Sequence, residues 1–248
     1  MVTQAIEVQN LIKIYKGAHS PAVNNVTFNI ESGSIFGLLG PNGAGKTTTI
    51  SILCGLRRAS AGKVSVFGLE LKKQREKAKQ LIGVVPQEIA LYPSLTAYEN
   101  LQYIGNMYGL RGESLKKKIR THLEIVGLLD QEKNFVENFS GGMKRRINLL
   151  AGILHEPKLL FLDEPTVGVD VQSRNVITEL LRDLNKKGCT IIYTSHLMEE
   201  AQSLCTDIVV IDNGTVIAQG KPKAMIKEYG VENLEQLFLQ LTGKKLRD

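Results

Sequence analysis

Ser34-Ile35-Phe36-Gly37-Leu38-Leu39-Gly40-Pro41-Asn42-Gly43-Ala44-Gly45-Lys46-Thr47 is the stretch on which the fold turns. Residues 34–39 read as a strand buried on both faces, because the run is apolar rather than alternating. Residues 40–47 match G-x-x-x-x-G-K-T, and residues 46–56 then read as a helix. Strand, glycine loop and helix in that order separate a phosphate-binding loop from an ordinary glycine-rich turn. The glycines let backbone N–H groups converge on phosphate oxygens. Lys46 reaches the β- and γ-phosphates, the Thr47 hydroxyl ligates Mg²⁺, and Thr48 can add a hydroxyl to the phosphates. Gly40, Pro41, Asn42, Gly43, Ala44, Gly45, Lys46, Thr47 and Thr48 are the expected nucleotide-binding residues.

Further along, residues 158–163 read as another buried strand, ending in Asp163-Glu164. A strand-end Asp163 reaches the magnesium shell, through water, and the next residue points elsewhere, so Glu164 can sit beside the attacking water. A surface Asp-Glu turn looks the same in isolation; the loop upstream tells the two apart. Between loop and carboxylates lies Phe139-Ser140-Gly141-Gly142-Met143. A serine and two bare amides opening a helix make an anion site. One chain then owns two phosphate sites. The economical arrangement is two chains head to tail, each nucleotide held by the loop of one chain and by Ser140, Gly141 and Gly142 of the other.

The remaining chain is consistent with an α/β fold. Ile6/Val8, Ile12/Ile14 and Val26/Phe28/Ile30 alternate as in half-buried antiparallel strands. Val64/Val66 and residues 82–85 are short strands, and the charged run 72–80 is a surface helix. Residues 88–155 form a mostly helical lobe inserted into the core of residues 1–87 and 156–220. The core resumes with a helix over 171–186 and a strand over 190–194. Residues 208–211 and 216–218 form a hairpin around Asn213-Gly214, the strongest short hairpin signal. Residues 221–248 are a C-terminal helical segment, in which Asn233 and Gln236 have capping-box spacing and Leu234, Leu237, Phe238 and Leu241 share one face.

Bulk properties narrow the class. The 248 residues, 43% hydrophobic, suffice for a large core and argue against disorder. A net charge of +6 fits an anionic partner, although a solvated basic surface fits equally well. Cys54, Cys189 and Cys205, without C-x-x-C spacing, read as reduced thiols of a cytosolic protein. The first residues lack a signal-peptide pattern, and no apolar run approaches the ~20 residues that cross a bilayer. Any membrane path is expected on another chain.

These motifs resemble the ATPase subunit of an ABC transporter, and the resemblance runs over nearly the whole chain. It implies a phosphate-loop NTPase core of mixed sheet flanked by helices, with an antiparallel β region and an inserted helical lobe. It implies ATP and Mg²⁺ as ligands and ATP hydrolysis as the activity. The partners it implies are a second ATPase subunit and a polytopic membrane permease, with no nucleic acid, at the cytoplasmic face of the membrane. It also assigns residues that carry no signal alone. His196 would bond the γ-phosphate, hold Glu164 and keep the opposing chain in register. Gln87, after Val84-Val85-Pro86, would contact Mg²⁺ and the attacking water and link the core to the lobe. Tyr15 would stack on adenine, and Asp170 would lie in the segment crossing the dimer. A lone histidine is more often structural, and an aromatic at a strand end is often simply packed.

The family signature usually runs Leu-Ser-Gly-Gly-Gln, so Met143 is a departure that removes a polar contact while leaving the anion-binding part intact. The Phe-Ser-Gly-Gly-Met form, Glu99-Asn100-Leu101 and the closing leucine-rich helix look most like the ATPase subunits of drug- and lipid-type exporters. Two other readings compete. A non-transport ABC ATPase would carry a long coiled-coil insertion or two cassettes, and this sequence has neither. A switch or kinase of the wider phosphate-loop class leaves Ser140 to Gly142 unexplained.

Overall fold

The computed structural model describes residues 3–195 and 197–243. In chain order the elements are β1 (Gln4–Lys13), β2 (Val23–Glu31), β3 (Ile35–Leu39), α1 (Lys46–Leu53), β4 (Ala61–Val66), β5 (Leu69–Glu70), α2 (Leu71–Lys79) and β6 (Ile82–Val85). Then follow α3 (Ala97–Met107), α4 (Gly112–Ile125), α5 (Gly141–Ile153), β7 (Leu159–Asp163), α6 (Val171–Lys186) and β8 (Thr190–Ser195). The chain closes with α7 (Met198–Leu204), β9 (Asp207–Asp212), β10 (Thr215–Gly220), α8 (Pro222–Tyr229) and α9 (Leu234–Thr242).

The strands form two sheets: an antiparallel one of order β2-β1-β4-β5, and a six-stranded one of order β10-β9-β3-β8-β7-β6. The second is parallel except for β10, which closes the β9 hairpin. Its strands have side chains in two cores. Phe36, Leu38, Leu159, Phe161 and Ile192 face a cluster shared with the antiparallel sheet and α1, where Phe28 stacks on Phe36 at 5.4 Å. Ile35, Leu39, Leu160, Leu162, Ile191 and Tyr193 face a second cluster covered by helices. Burial on both faces is the physical reason these strands read as continuous apolar runs. The register sets Leu39 of β3 opposite Ser195 of β8, Thr194 of β8 opposite Asp163 of β7, and Leu162 of β7 opposite Val85 of β6. The segments that leave these strands therefore emerge at one carboxyl edge, where open α/β sheets place their ligands.

Some elements differ from expectation. Helix α1 stops at Leu53 rather than at residue 56, because Cys54 caps it and Gly55 turns left-handed at φ 74°. The Ile12/Ile14 alternation fails: Asn10, at φ 49°, accompanies a register shift in β1, so that Leu11 is buried and Ile14 is 49% exposed. Asn233 caps α9 by accepting from the Gln236 N–H at 2.9 Å, but the Gln236 side chain accepts from Glu232 rather than from Asn233. A full capping box occurs instead at Thr96 and Glu99 of α3. Helices α7 and α8 were not read from sequence. Pro222 in the first turn and left-handed Gly230 at the end of α8 are nevertheless ordinary helix punctuation.

Candidate functional site

The loop between β3 and α1 is shaped by its glycines. A Cβ at Gly40 would lie 2.2 Å from the Ile211 carbonyl oxygen, and one at Gly45 would lie 2.4 Å from that of Ala22. The loop is thus wedged between the end of β9 and the entry to β2, where no side chain fits. Gly43, at φ 79°, meets nothing within 4 Å, so it serves backbone conformation on an open face. Helix α1 starts here without an acidic residue in its first turn, which leaves its N-terminal amides free to favour an anion. Buried Lys46 curls over the loop and donates from Nζ to the carbonyls of Gly40 (2.8 Å) and Pro41 (3.2 Å). Burial lowers its pKa, while the charges of Glu164 and Asp163 pull it back up.

Asp163 ends β7, and its two oxygens have different partners. Thr47 Oγ1 donates to Oδ2 at 3.2 Å, and Thr194 Oγ1, from β8, donates to Oδ1 at 2.6 Å. The same Thr194 oxygen accepts the Glu164 N–H at 3.0 Å. Glu164 takes a left-handed φ of 49°, a conformation that costs a non-glycine residue about 1–3 kcal/mol. The turn leaves its carboxylate 3.2 Å from Gln87 Nε2, just beyond β6. The structure thus gathers Lys46, Thr47, Asp163, Glu164 and Gln87 at one edge. The hydroxyl of Thr47 and the carboxylate of Asp163 are oxygen donors of the kind Mg²⁺ takes, usually one or two from protein with phosphate and water oxygens completing its shell. Among the described residues no three His, Cys, Asp or Glu side chains are grouped to hold a metal ion.

Tyr15 follows β1, and its hydroxyl is 3.2 Å from Thr48 Oγ1, which ties it to the start of α1. Lys13 Nζ and Arg57 Cζ lie 5.3 and 5.6 Å from its ring centroid. His196 falls outside the described residues. Ser140 sits apart, on the helices inserted between β6 and β7. It is the N-cap of α5, with Oγ accepting from the Met143 N–H at 3.2 Å. Gly141 faces open space, but a Cβ on Gly142 would come within 2.3 Å of Ser173 Oγ and 2.6 Å of Asp170 Oδ2. The bareness of Gly142 therefore serves the close approach of α5 to the start of α6. Asp170 caps that helix by accepting from the Ser173 N–H at 2.8 Å, a bond that holds its carboxyl below the usual range. The Met143 side chain turns inward against the apolar core.

Sequence reasoning missed four supporting groups. Thr194 is a hydroxyl in an apolar strand, a signal that was readable as a buried polar residue needing a partner. Glu200 accepts from Tyr193 (2.5 Å) and Thr166 (2.6 Å) and lies 3.2 Å from Arg174 Nε, so it ties the segment after Glu164 to α6, α7 and β8. Arg145 and Asn148 of α5 bond the backbone around Gln87. Nothing in the local sequence announces these last two.

The ABC transporter family model matches residues 23–167. The linearmycin resistance ATP-binding protein LnrL of Bacillus subtilis is 49% identical over 232 residues, covering 94% of this chain and 74% of that protein. The Nod factor export ATP-binding protein I of Ralstonia nicotianae is 41% identical over 234 residues, covering 94% and 72%. Among solved structures, a dimeric ATP-binding cassette in a post-hydrolysis state with ADP and Pi superposes with a TM-score of 0.80 at 26% identity, covering 87% of this chain and 98% of that one.

Proposed function

The chain belongs to the ABC transporter family, as an ATP-binding subunit that hydrolyses ATP with Mg²⁺; from that premise we propose that it dimerises head to tail around two nucleotides and drives a separate membrane permease, as an exporter. The observation that carries this reading is the split between Lys46, Thr47, Asp163, Glu164 and Gln87 at the sheet edge and Ser140 on a separate helix. Each chain then has half of two sites. The export names of relatives support the direction of transport, and the dimeric post-hydrolysis cassette supports the dimer.

In this reading the loop amides of residues 40–45 and Lys46 hold the phosphates, Thr48 adds a hydroxyl, and Tyr15 stacks on adenine. Thr47, Asp163 and Gln87 hold Mg²⁺, whose charge would neutralise the phosphate oxygens. Glu164 orients the attacking water and takes its proton, Gln87 steadies that water, and His196 bonds the γ-phosphate. Ser140, Gly141 and Gly142 complete the site of the partner chain, with Asp170 at the crossing. ATP binding closes the dimer because both chains grip the γ-phosphate. Hydrolysis weakens that grip.

Ser140→Arg tests the trans role. A large cation in the interface is expected to abolish ATP-driven dimers while the monomer still binds ATP. Chromatography with ATP and Mg²⁺, alongside nucleotide titration, reads both; loss of monomer binding would instead place the serine in the site of its own chain.

Residues 88–155 are proposed as the lobe that meets the permease, and the chain then sits at the cytoplasmic face through that contact. No helix among the described residues is long and apolar enough to cross a membrane. Of the apolar residues after Gln87, Leu91 is buried in the core and Leu95 is half-buried, so neither offers a free surface. Tyr92 is 50% exposed and packs edge-on against exposed Tyr103 at 5.2 Å, with exposed Ile89 nearby in sequence. Such a patch suits a partner helix. Tyr92→Ser is expected to leave soluble ATPase activity native and to lose transport and permease pull-down. Full transport by this variant would remove the patch from consideration.

A further inference from the structure

Helix α5 starts at the Ser140 cap, and one turn further in it buries a charge. Arg145 is 8% exposed and Asn148 is 2% exposed, three residues apart and so on one helical face. Both point at the segment that leaves β6. Arg145 Nη1 donates to the Gln87 carbonyl at 2.6 Å and to the Pro86 carbonyl at 3.4 Å. Asn148 Nδ2 donates to the Pro86 carbonyl at 3.4 Å, and its Oδ1 accepts the Ala90 N–H at 3.0 Å. Residues 86–90 belong to no helix or strand, so these side chains do for the segment what a ladder does elsewhere.

A buried guanidinium is costly. Desolvation lowers the pKa of Arg145, and the charge of Glu164 partly offsets it. Most of the other buried positions of this helix, Ile147, Leu149 and Leu150 among them, are apolar. The charge is explained by what it holds. The carbonyl it grips belongs to Gln87, whose side chain donates to Glu164 at 3.2 Å. A continuous path runs from the Ser140 end of α5, through Arg145, to Gln87 and Glu164.

We infer that Arg145, with Asn148 holding the same segment, is a positioning residue that fixes Gln87 beside Glu164 according to where α5 stands. The inference rests on the head-to-tail reading above and deepens it. In that dimer Ser140 grips the nucleotide on the partner chain, whereas Gln87 serves the nucleotide on its own. Arg145 then links the two sites within one chain: closure on one nucleotide sets the water-orienting group at the other. Arg145 touches neither nucleotide.

The test is a double-mutant cycle on the full chain, reading kcat, KM and the Hill coefficient for ATP. Arg145→Met keeps an unbranched apolar stem and removes every donor. It is expected to lower kcat by ~10- to 10²-fold, the usual effect of misplacing a catalytic group, with KM little changed and the Hill coefficient falling toward one. Gln87→Ala is expected to be slow as well, and the double variant no slower than Gln87→Ala alone, since Arg145 acts only through that side chain. Arg145→Lys, which keeps the charge and a donor nitrogen, should recover most of kcat. A native kcat and Hill coefficient in Arg145→Met, or losses that multiply in the double variant, overturn the inference. Where Arg145→Met does not fold, the same cycle with Arg145→Lys decides: its smaller loss must vanish in the Gln87→Ala background, and persistence there overturns the inference. A native kcat in Gln87→Ala sinks the role given to Gln87 and this inference with it, whereas a slow Gln87→Ala beside a native Arg145→Met sinks this inference alone.

Discussion

Glu164→Gln is expected to cut ATP turnover by ~10²- to 10⁴-fold, the usual worth of a positioned base, while ATP binding survives. The substitution is nearly isosteric. Its amide oxygen still accepts from Gln87 Nε2, which lies 3.2 Å from the carboxylate in the native chain. The Glu164 N–H still reaches Thr194, and the left-handed backbone is no worse for Gln than for Glu. What disappears is the negative charge that can take a proton from water. Lys46 loses one of the two carboxylates that favour its charged form, but Asp163 remains. With the γ-phosphate persisting, ATP and Mg²⁺ should trap a stable dimer. Two measurements decide the matter: single-turnover hydrolysis, and light scattering with ATP and Mg²⁺. A monomer with ATP bound under those conditions would count heavily against the sandwich.

Lys46→Ala should fail earlier, at binding. The Lys46 ammonium donates to the loop carbonyls of Gly40 and Pro41, and in the proposed reading it holds phosphate in the ground state. A hydrogen bond from a charged group contributes about 1.5–3 kcal/mol, which corresponds to ATP affinity weakened by roughly 10- to 10²-fold. Turnover should drop by a further ~10²- to 10³-fold, because the same charge stabilises the phosphoryl oxygens in the transition state. The substitution also removes a cation that both Glu164 and Asp163 attract, leaving the two carboxylates without that charge near them. Titration with a fluorescent ATP analogue checks the first loss and steady-state ATPase the second. Native affinity in Lys46→Ala would mean that this loop is not the phosphate cradle.

The two predictions rest on different kinds of knowledge. The phosphate loop is local: strand, glycines and helix lie within one short stretch, and their geometry follows from backbone conformation that only those residues allow. The same holds for the Ser140 cap, for α6 over Val171–Lys186 and for the Asn213-Gly214 hairpin, where a cap, a periodicity or a turn dipeptide sits in the sequence itself. Sequence alone therefore determined the fold class and the residues expected to touch phosphate.

Tertiary structure decided how those residues meet. The Gln87–Glu164 bond needs β6 beside β7, and the Thr194 hydroxyl reaches Asp163 only because β8 lies between β3 and β7. Strand order of this kind is set by crossovers through helices, and no local pattern encodes which strands become neighbours. Gly142 reads as part of an anion site, and the fold adds a second reason for its bareness, since its missing Cβ admits Asp170 and Ser173 from the start of α6. Ile14 looked like a core residue until the shift at Asn10 turned it outward. Arg145 carries no local signal of its role, and only the fold brings the Gln87 carbonyl to it. Local propensity acts through a few neighbouring bonds, whereas packing and hydrogen-bond satisfaction join groups that only the completed core brings together.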